Sequence, residues 1–193
     1  MNIAVIGGTG LYNLDGFKPI ARVNPETPWG FPSAPILILE HGVGGDDGDA
    51  VPVAFLARHG AHHEYAPHEI PARANIAALR HLGVRCVVSF SAVGSLQEHI
   101  KPMDFVVPDQ VIDRTKGIRP FTFFEGGLVG HVPFGDPYDD RIAQVVRRCA
   151  KAMQGDGVTL HEKGTAICMG RFFFSDKESQ HRDGRVGETE NGR

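Results

Sequence analysis

Long apolar runs are missing from this sequence. The longest, at residues 36–39 and 53–57, are strand-sized and far short of the ~18 residues of a membrane helix. Cysteine is scarce: Cys86, Cys149 and Cys168 are odd in number and contain no CxxC pair, which excludes a disulfide framework and suits a reducing cytoplasm. Charge of one sign is lacking too, since 20 Lys and Arg face 23 Asp and Glu. The resulting −3 gives no electrostatic case for nucleic acid or a membrane surface as partner. Met1-Asn-Ile-Ala-Val-Ile6 has neither a basic stretch nor a small-residue cleavage site, so no signal peptide is expected.

What is present is an ordinary domain of 193 residues, 41% hydrophobic, long enough to bury roughly 70% of its unfolded surface. Its 24 glycines and 13 prolines announce many turns. Residues 2–6 read as a buried strand that breaks at Gly7-Gly8-Thr9-Gly10. Strands are expected at 35–40 and 51–57, joined by a polar, glycine-rich connection over 42–49. Residues 71–82 predict a helix, with Pro71 at its start, Ile76, Leu79 and Leu82 at helical spacing, and Gly83 as a left-handed stop. Further strands are expected at 84–91, 104–108, 158–161 and 164–169. A second helix over 138–154 should bury Ile142, Val145, Val146, Cys149 and Met153. This alternation predicts an α/β fold with a mixed central β-sheet flanked by helices. Composition changes after Met169. Residues 170–193 hold ten charged side chains against four apolar ones, so the expected division is a folded 1–169 and a divergent, disordered 170–193.

Three predicted strand ends carry groups suited to an anion. The Gly7–Gly10 turn can converge backbone N–H groups, with the Thr9 hydroxyl beside them, although a plain tight turn would also use these glycines. A dinucleotide site would want a glycine where Asn13 stands, and a Walker loop would want Gly-Lys-Ser/Thr. At the end of the 51–57 strand, Arg58 offers a planar fork of donors and His59 one more, against the reading of a surface Arg–His pair. Ser91, followed by Ala92, Val93, Gly94 and Ser95, closes the most hydrophobic strand. Its flanks, Phe90 and Ala92, do not form the nucleophile elbow of a hydrolase. No Asp/Glu pair accompanies these groups to hold Mg²⁺, which favours inorganic phosphate or a sugar phosphate as ligand. His59, His62, His63 and His68 lack zinc-site spacing and read as loop histidines, so no metal is expected.

Taken together, Ile6-Gly-Gly-Thr-Gly-Leu11, Thr27-Pro-Trp-Gly-Phe-Pro-Ser33, Leu56-Ala-Arg-His-Gly60, Ala74-Asn75 with Ala78-Leu79, and Ser91-Ala-Val-Gly-Ser95 resemble the 5′-methylthioadenosine phosphorylases. These belong with the trimeric purine nucleoside phosphorylases. Asp109-Gln110, Ile112-Asp-Arg-Thr115, Arg119-Pro120, His131-Val-Pro133 and Asp136-Pro137 continue the likeness through residue 169. The resemblance implies a nucleoside phosphorylase-like fold and a homotrimer with active sites at subunit interfaces. It implies a reaction of purine and methionine salvage: methylthioadenosine and phosphate give adenine and 5-methylthioribose 1-phosphate, with phosphate as co-substrate and no cofactor. By position it implies phosphate binding by Thr9, Arg58, His59, Ser91 and the Ala92 backbone, and a catalytic contribution of His131 to a neighbouring subunit. The cytoplasm and nucleus are the expected locations. After Met169 the family's Glu-Gly-Pro-x-Phe continuation is only echoed by Gly170–Ser179. The expectation is therefore a fold incomplete at its C-terminal side, with a phosphate-binding fragment that co-assembles with longer subunits as the alternative function.

Overall fold

Five strands form the main sheet of the computed structural model, which describes residues 1–8, 10–11, 14–41, 51–152 and 159–169. In chain order they are β1 (Ile3–Gly7), β2 (Phe17–Val23), β3 (Ile36–His41), β4 (Val53–Ala57) and, after helix α1 (Ala72–His81), β5 (Cys86–Ser89). Spatially the order is β2-β3-β4-β1-β5. β1 is an interior strand, parallel to both β4 and β5, with Ile3 opposite Val53 and Cys86. β3 runs antiparallel to β4 and β2, so the sheet is mixed, as expected. Ala4, Ile36, Ala54, Phe55 and Leu56 are almost fully buried, in one core cluster with Ala78 and Leu79 of α1.

α1 begins after Pro71, whose missing N–H falls where the helix has no use for it. It ends at Gly83, whose φ of 81° lets its N–H return to the Arg80 carbonyl. Its buried stripe is Ala74, Asn75, Ala78 and Leu79, whereas Ile76 is exposed. The difference from the expected stripe arises because small residues let the helix lie close on the sheet, and polar Asn75 is spent on a bond to the Ser33 backbone.

Two short parallel pairs complete the described fold. β6 (Phe105–Val106) pairs with β8 (Leu160–His161), and β7 (Gln110–Arg114) pairs with β9 (Thr165–Met169). α2 (Asp140–Ala152) starts where the Asp139 carboxylate accepts the backbone N–H groups of Arg141 and Ile142. Hydrogen bonding from the Arg141 side chain, above all, lowers that carboxyl to about 2. The expected apolar face of this helix is corrected: Val145 and Cys149 are exposed, while Ala143 is buried and Ile142, Val146 and Arg147 half-buried. The helix is turned by its basic side, where Arg147 donates to the Glu162 carbonyl at 3.0 Å and Lys151 pairs with the Glu162 carboxylate at 2.7 Å. β2 and β7 are strands that periodicity did not predict, and the strands expected at 84–91 and 104–108 shorten to β5 and β6. The expected 42–49 connection, Met153 and the division at 169/170 lie outside the described residues. No described helix is long and apolar enough to cross a membrane.

Candidate functional site

The parallel register brings three chain segments out of one sheet edge. Gly7 lies opposite Ala57 and Ile6 opposite Ser89, so the loops starting at Gly8, Arg58 and Phe90 leave side by side. Backbone bonds extend the match one step further: Arg58 N–H donates to the Gly7 carbonyl at 3.1 Å and Phe90 N–H to the Ile6 carbonyl at 3.0 Å. Open α/β sheets place ligands at this carboxyl edge, because the loops there are free to carry donors while the strands hold them still.

Arg58 lies at the centre. Its Nη1 donates to the Phe90 carbonyl at 3.0 Å and to Ser91 Oγ at 2.8 Å, and its Nε donates to His59 Nε2 at 3.3 Å. Nη2 has no hydrogen-bond partner among the described residues and rests against Gly8, where a Cβ would come within 2.7 Å of it. Burial, and then the positive charge of Arg119, pull the guanidinium below its ordinary value without threatening its charge. His59 is buried, with Nδ1 at 2.9 Å from the Tyr65 carbonyl and its ring stacked at 4.6 Å on that of His63. The turn that allows this reverses at Gly60 (φ 88°) and is closed by Tyr65 N–H on the His59 carbonyl. Burial is the main cause that lowers the His59 pKa, with Arg58, His63 and Arg119 adding to it against the Tyr65 carbonyl.

The structure thus gathers Arg58, His59 and Ser91 in one cluster, with exposed Ala92 next along the chain. Thr9 lies outside the described residues, between Gly8 and Gly10 of the same loop. His131 lies in exposed coil, and among the described residues its side chain makes no hydrogen bond to this cluster. The Phe90 and Tyr65 carbonyls and the space at Gly8 escaped the sequence reading. Backbone groups leave no mark on residue type, and only the glycine run hinted at close approach. Arg119 was recognised there only as part of a motif. Its Nη2 donates to the Met169 carbonyl at 2.8 Å, and its buried Nε has no partner among the described residues. No group of three or more described His, Cys, Asp or Glu side chains could hold a metal ion.

The sequence pattern of the phosphorylase superfamily matches residues 2–188. The S-methyl-5′-thioadenosine phosphorylase of Fusarium vanettenii is 67% identical over 181 residues, covering 94% of this chain and 57% of the relative. That of Neurospora crassa is 65% identical over 181 residues, covering 94% and 56%. The chain therefore spans a little over half the length of these curated relatives. Among solved structures, a methylthioadenosine phosphorylase from an antarctic soil metagenomic library matches with a TM-score of 0.80 at 43% identity, over 96% of this chain and 62% of the other. Methylthioadenosine phosphorylase from Schistosoma mansoni in complex with tubercidin matches with a TM-score of 0.78 at 29% identity, over 96% and 70%.

Proposed function

The chain belongs to the phosphorylase superfamily, and from that premise we propose that it carries the phosphate-binding part of a methylthioadenosine phosphorylase. The reaction is phosphorolysis of S-methyl-5′-thioadenosine to adenine and 5-methylthioribose 1-phosphate. One observation supports this reading above the others: the Arg58 guanidinium is fixed at the meeting point of three strand ends, with its Nη2 edge turned toward the glycine loop. Phosphate is held there by Thr9, Arg58, His59, Ser91 and the Ala92 backbone. An oxygen of monohydrogen phosphate bonds to the anomeric carbon of the ribose as the bond to the base nitrogen breaks, and the proton that the phosphate gives up ends on the departing adenine. Positive charge grows on the ribose as the base departs, and a dianion fixed beneath it stabilises that charge. His131 serves the nucleoside from a neighbouring subunit of a homotrimer. Inorganic phosphate is the co-substrate, no cofactor takes part, and the protein works in the cytoplasm and nucleus.

Adenine release from methylthioadenosine, followed with and without phosphate, tests the reading. Release that requires phosphate is expected. Release at the same rate without phosphate would mean hydrolysis instead. Phosphate binding with no release at all would leave the alternative, a binding fragment that needs longer subunits.

A further inference from the structure

Residues 126–136 form a strap that the fold holds at its two ends. Every residue in it is exposed, the large apolar Leu128, Val129, Val132 and Phe134 included. Its local contacts are few: Leu128 N–H donates to the Glu125 carbonyl at 3.3 Å, and Gly130 lies against the Phe124 ring. The N-terminal end is fixed from α1, where Arg73 Nη1 donates to the Glu125 carboxylate at 2.7 Å and to the Thr122 carbonyl at 3.5 Å. Beside it the Trp29 and Phe123 rings meet edge to face, 5.0 Å between centroids.

The C-terminal end rests on one side chain. Gln110 Nε2 donates to the Gly135 carbonyl at 3.1 Å. Among the described residues this is the only hydrogen bond that joins 126–136 to an element of the fold. Gln110 Oε1 accepts the Val111 N–H at 2.8 Å. An N–H can only donate and a carbonyl only accept, so the amide is turned one way, oxygen to Val111 and nitrogen to Gly135. The base of this clamp is itself held. Gln110 pairs with Thr165 across β7 and β9, and the adjacent Asp109 exchanges two bonds with Gly164: its N–H donates to that carbonyl at 3.0 Å and its carboxylate accepts that N–H at 3.3 Å.

His131 stands four residues before Gly135. Four residues of fully extended chain reach at most ~14 Å, so a fixed Gly135 confines His131 to a small volume. Without the clamp the next fixed point is the Asp139 cap of α2, and the whole strap swings from Glu125. A group held in place before its ligand arrives loses less freedom on binding.

We infer that Gln110 is a positioning residue: it clamps the C-terminal end of the strap and so sets where His131 meets a nucleoside held by a neighbouring subunit. This rests on the reading of His131 above and adds the device that holds it.

Limited thermolysin digestion of the full chain reads the clamp without any turnover, with cleavage before Leu128, Val129, Val132 and Phe134 followed by mass spectrometry. Gln110→Glu keeps an acceptor for Val111 and loses the donor to Gly135. Its strap should be cut about three- to tenfold faster, while cleavage within β7 and β9 stays at the wild-type rate. Gln110→Lys, which can donate to the carbonyl again, should recover most of the protection. Equal strap cleavage in wild type and Gln110→Glu would overturn the inference, and so would a rise shared with β7 and β9, the sign of general loosening. Kinetics give a second reading: Gln110→Glu should raise KM for methylthioadenosine severalfold, leave KM for phosphate unchanged, and have no further effect in a His131→Ala background. An effect that persists undiminished in that background would overturn the inference. A chain that shows the thermolysin difference but never cleaves methylthioadenosine would instead sink the phosphorylase reading and leave the clamp standing.

Discussion

Gly8 shows how little room the site leaves. A Cβ there would stand 2.6 Å from the Phe90 carbonyl oxygen and 2.7 Å from Arg58 Nη2, so even a methyl group must push the guanidinium or the backbone aside. Gly8→Ala should cost roughly 1–3 kcal/mol of stability and weaken phosphate by displacing Arg58 Nη2. Denaturant melts and calorimetry read the two effects, and an alanine variant with unchanged affinity would show that Arg58 need not lie on the glycine. Arg58→Ala removes a charged donor from the anion, which is worth about 1.5–3 kcal/mol, or roughly ten- to a hundredfold in affinity. Thr9→Ala should act in the same direction. Both residues stand beyond strand ends, so the unfolding midpoint should scarcely move; phosphate affinity that also stays put in Arg58→Ala would remove that residue from the site. Much of this cluster was readable beforehand, since Arg58 and Ser91 each follow an apolar strand and α/β folds gather such ends. The contact of His59 with the Tyr65 carbonyl was not readable, because a sequence does not say which carbonyl a loop will fold back against a ring.

Buried polar bonds between elements decide the next level. Asn75 on α1 accepts the Ser33 N–H at 2.7 Å, and Ser33 Oγ donates to the Ala57 carbonyl at 2.9 Å, so one asparagine ties the helix to the end of β4 just before Arg58. Asn75→Ala strands a buried N–H and should destabilise by about 1–3 kcal/mol, whereas Asn75→Asp, which keeps an acceptor, should lose less in the same urea titration. The β6–β8 pair depends on a titratable bond. Asp104 Oδ2 lies 2.8 Å from His161 Nε2 and also accepts the Lys101 N–H. His161 first, then Lys101, hold the Asp104 carboxyl below its ordinary 3.8. A carboxyl lowered in the folded state stabilises above its unfolded pKa, and that contribution disappears as pH falls through the folded value. Protection of the Phe105 and Val107 amides, which bond to Thr159 and His161, against hydrogen exchange should therefore fall in acid below 3.8, relative to the intrinsic exchange rate at each pH. Asp104→Asn should exchange faster at neutral pH and lose that extra acid response; an unchanged wild-type profile would show that the bond does not hold the pair. β1, β3, β4 and α1 were legible because apolar runs end at glycine or proline. β2 was hidden by Pro19, which an edge strand tolerates where it bulges between Pro19 and Ala21. β7 was hidden because Gln110–Arg114 alternates too weakly to mark a face.

Across the whole molecule the apolar surface is divided unevenly. The core lies in the five-stranded sheet and α1, while Val93, Leu96, Met103, Leu128, Val129 and Val132 are each more than 60% exposed. So many bare large side chains in adjoining coil invite association. The isolated 193-residue chain should therefore bind a hydrophobic dye and self-associate as its concentration rises. Unfolding followed by fluorescence and by far-ultraviolet circular dichroism should give separate midpoints. Coincident, concentration-independent transitions would show that this surface is harmless.

The place of β1 between β4 and β5 also sets a clock. Ile3 pairs with Val53 and Cys86, partners that follow it by roughly fifty and eighty positions. A ribosome adding ~5–20 residues per second needs about 3–10 s to make the first of them. Through that interval an apolar strand destined for the interior of the sheet has both edges bare. Translation that slows before residue 86 lengthens the wait, so codon choice in the first half of the message governs how long β1 must be sheltered by a chaperone.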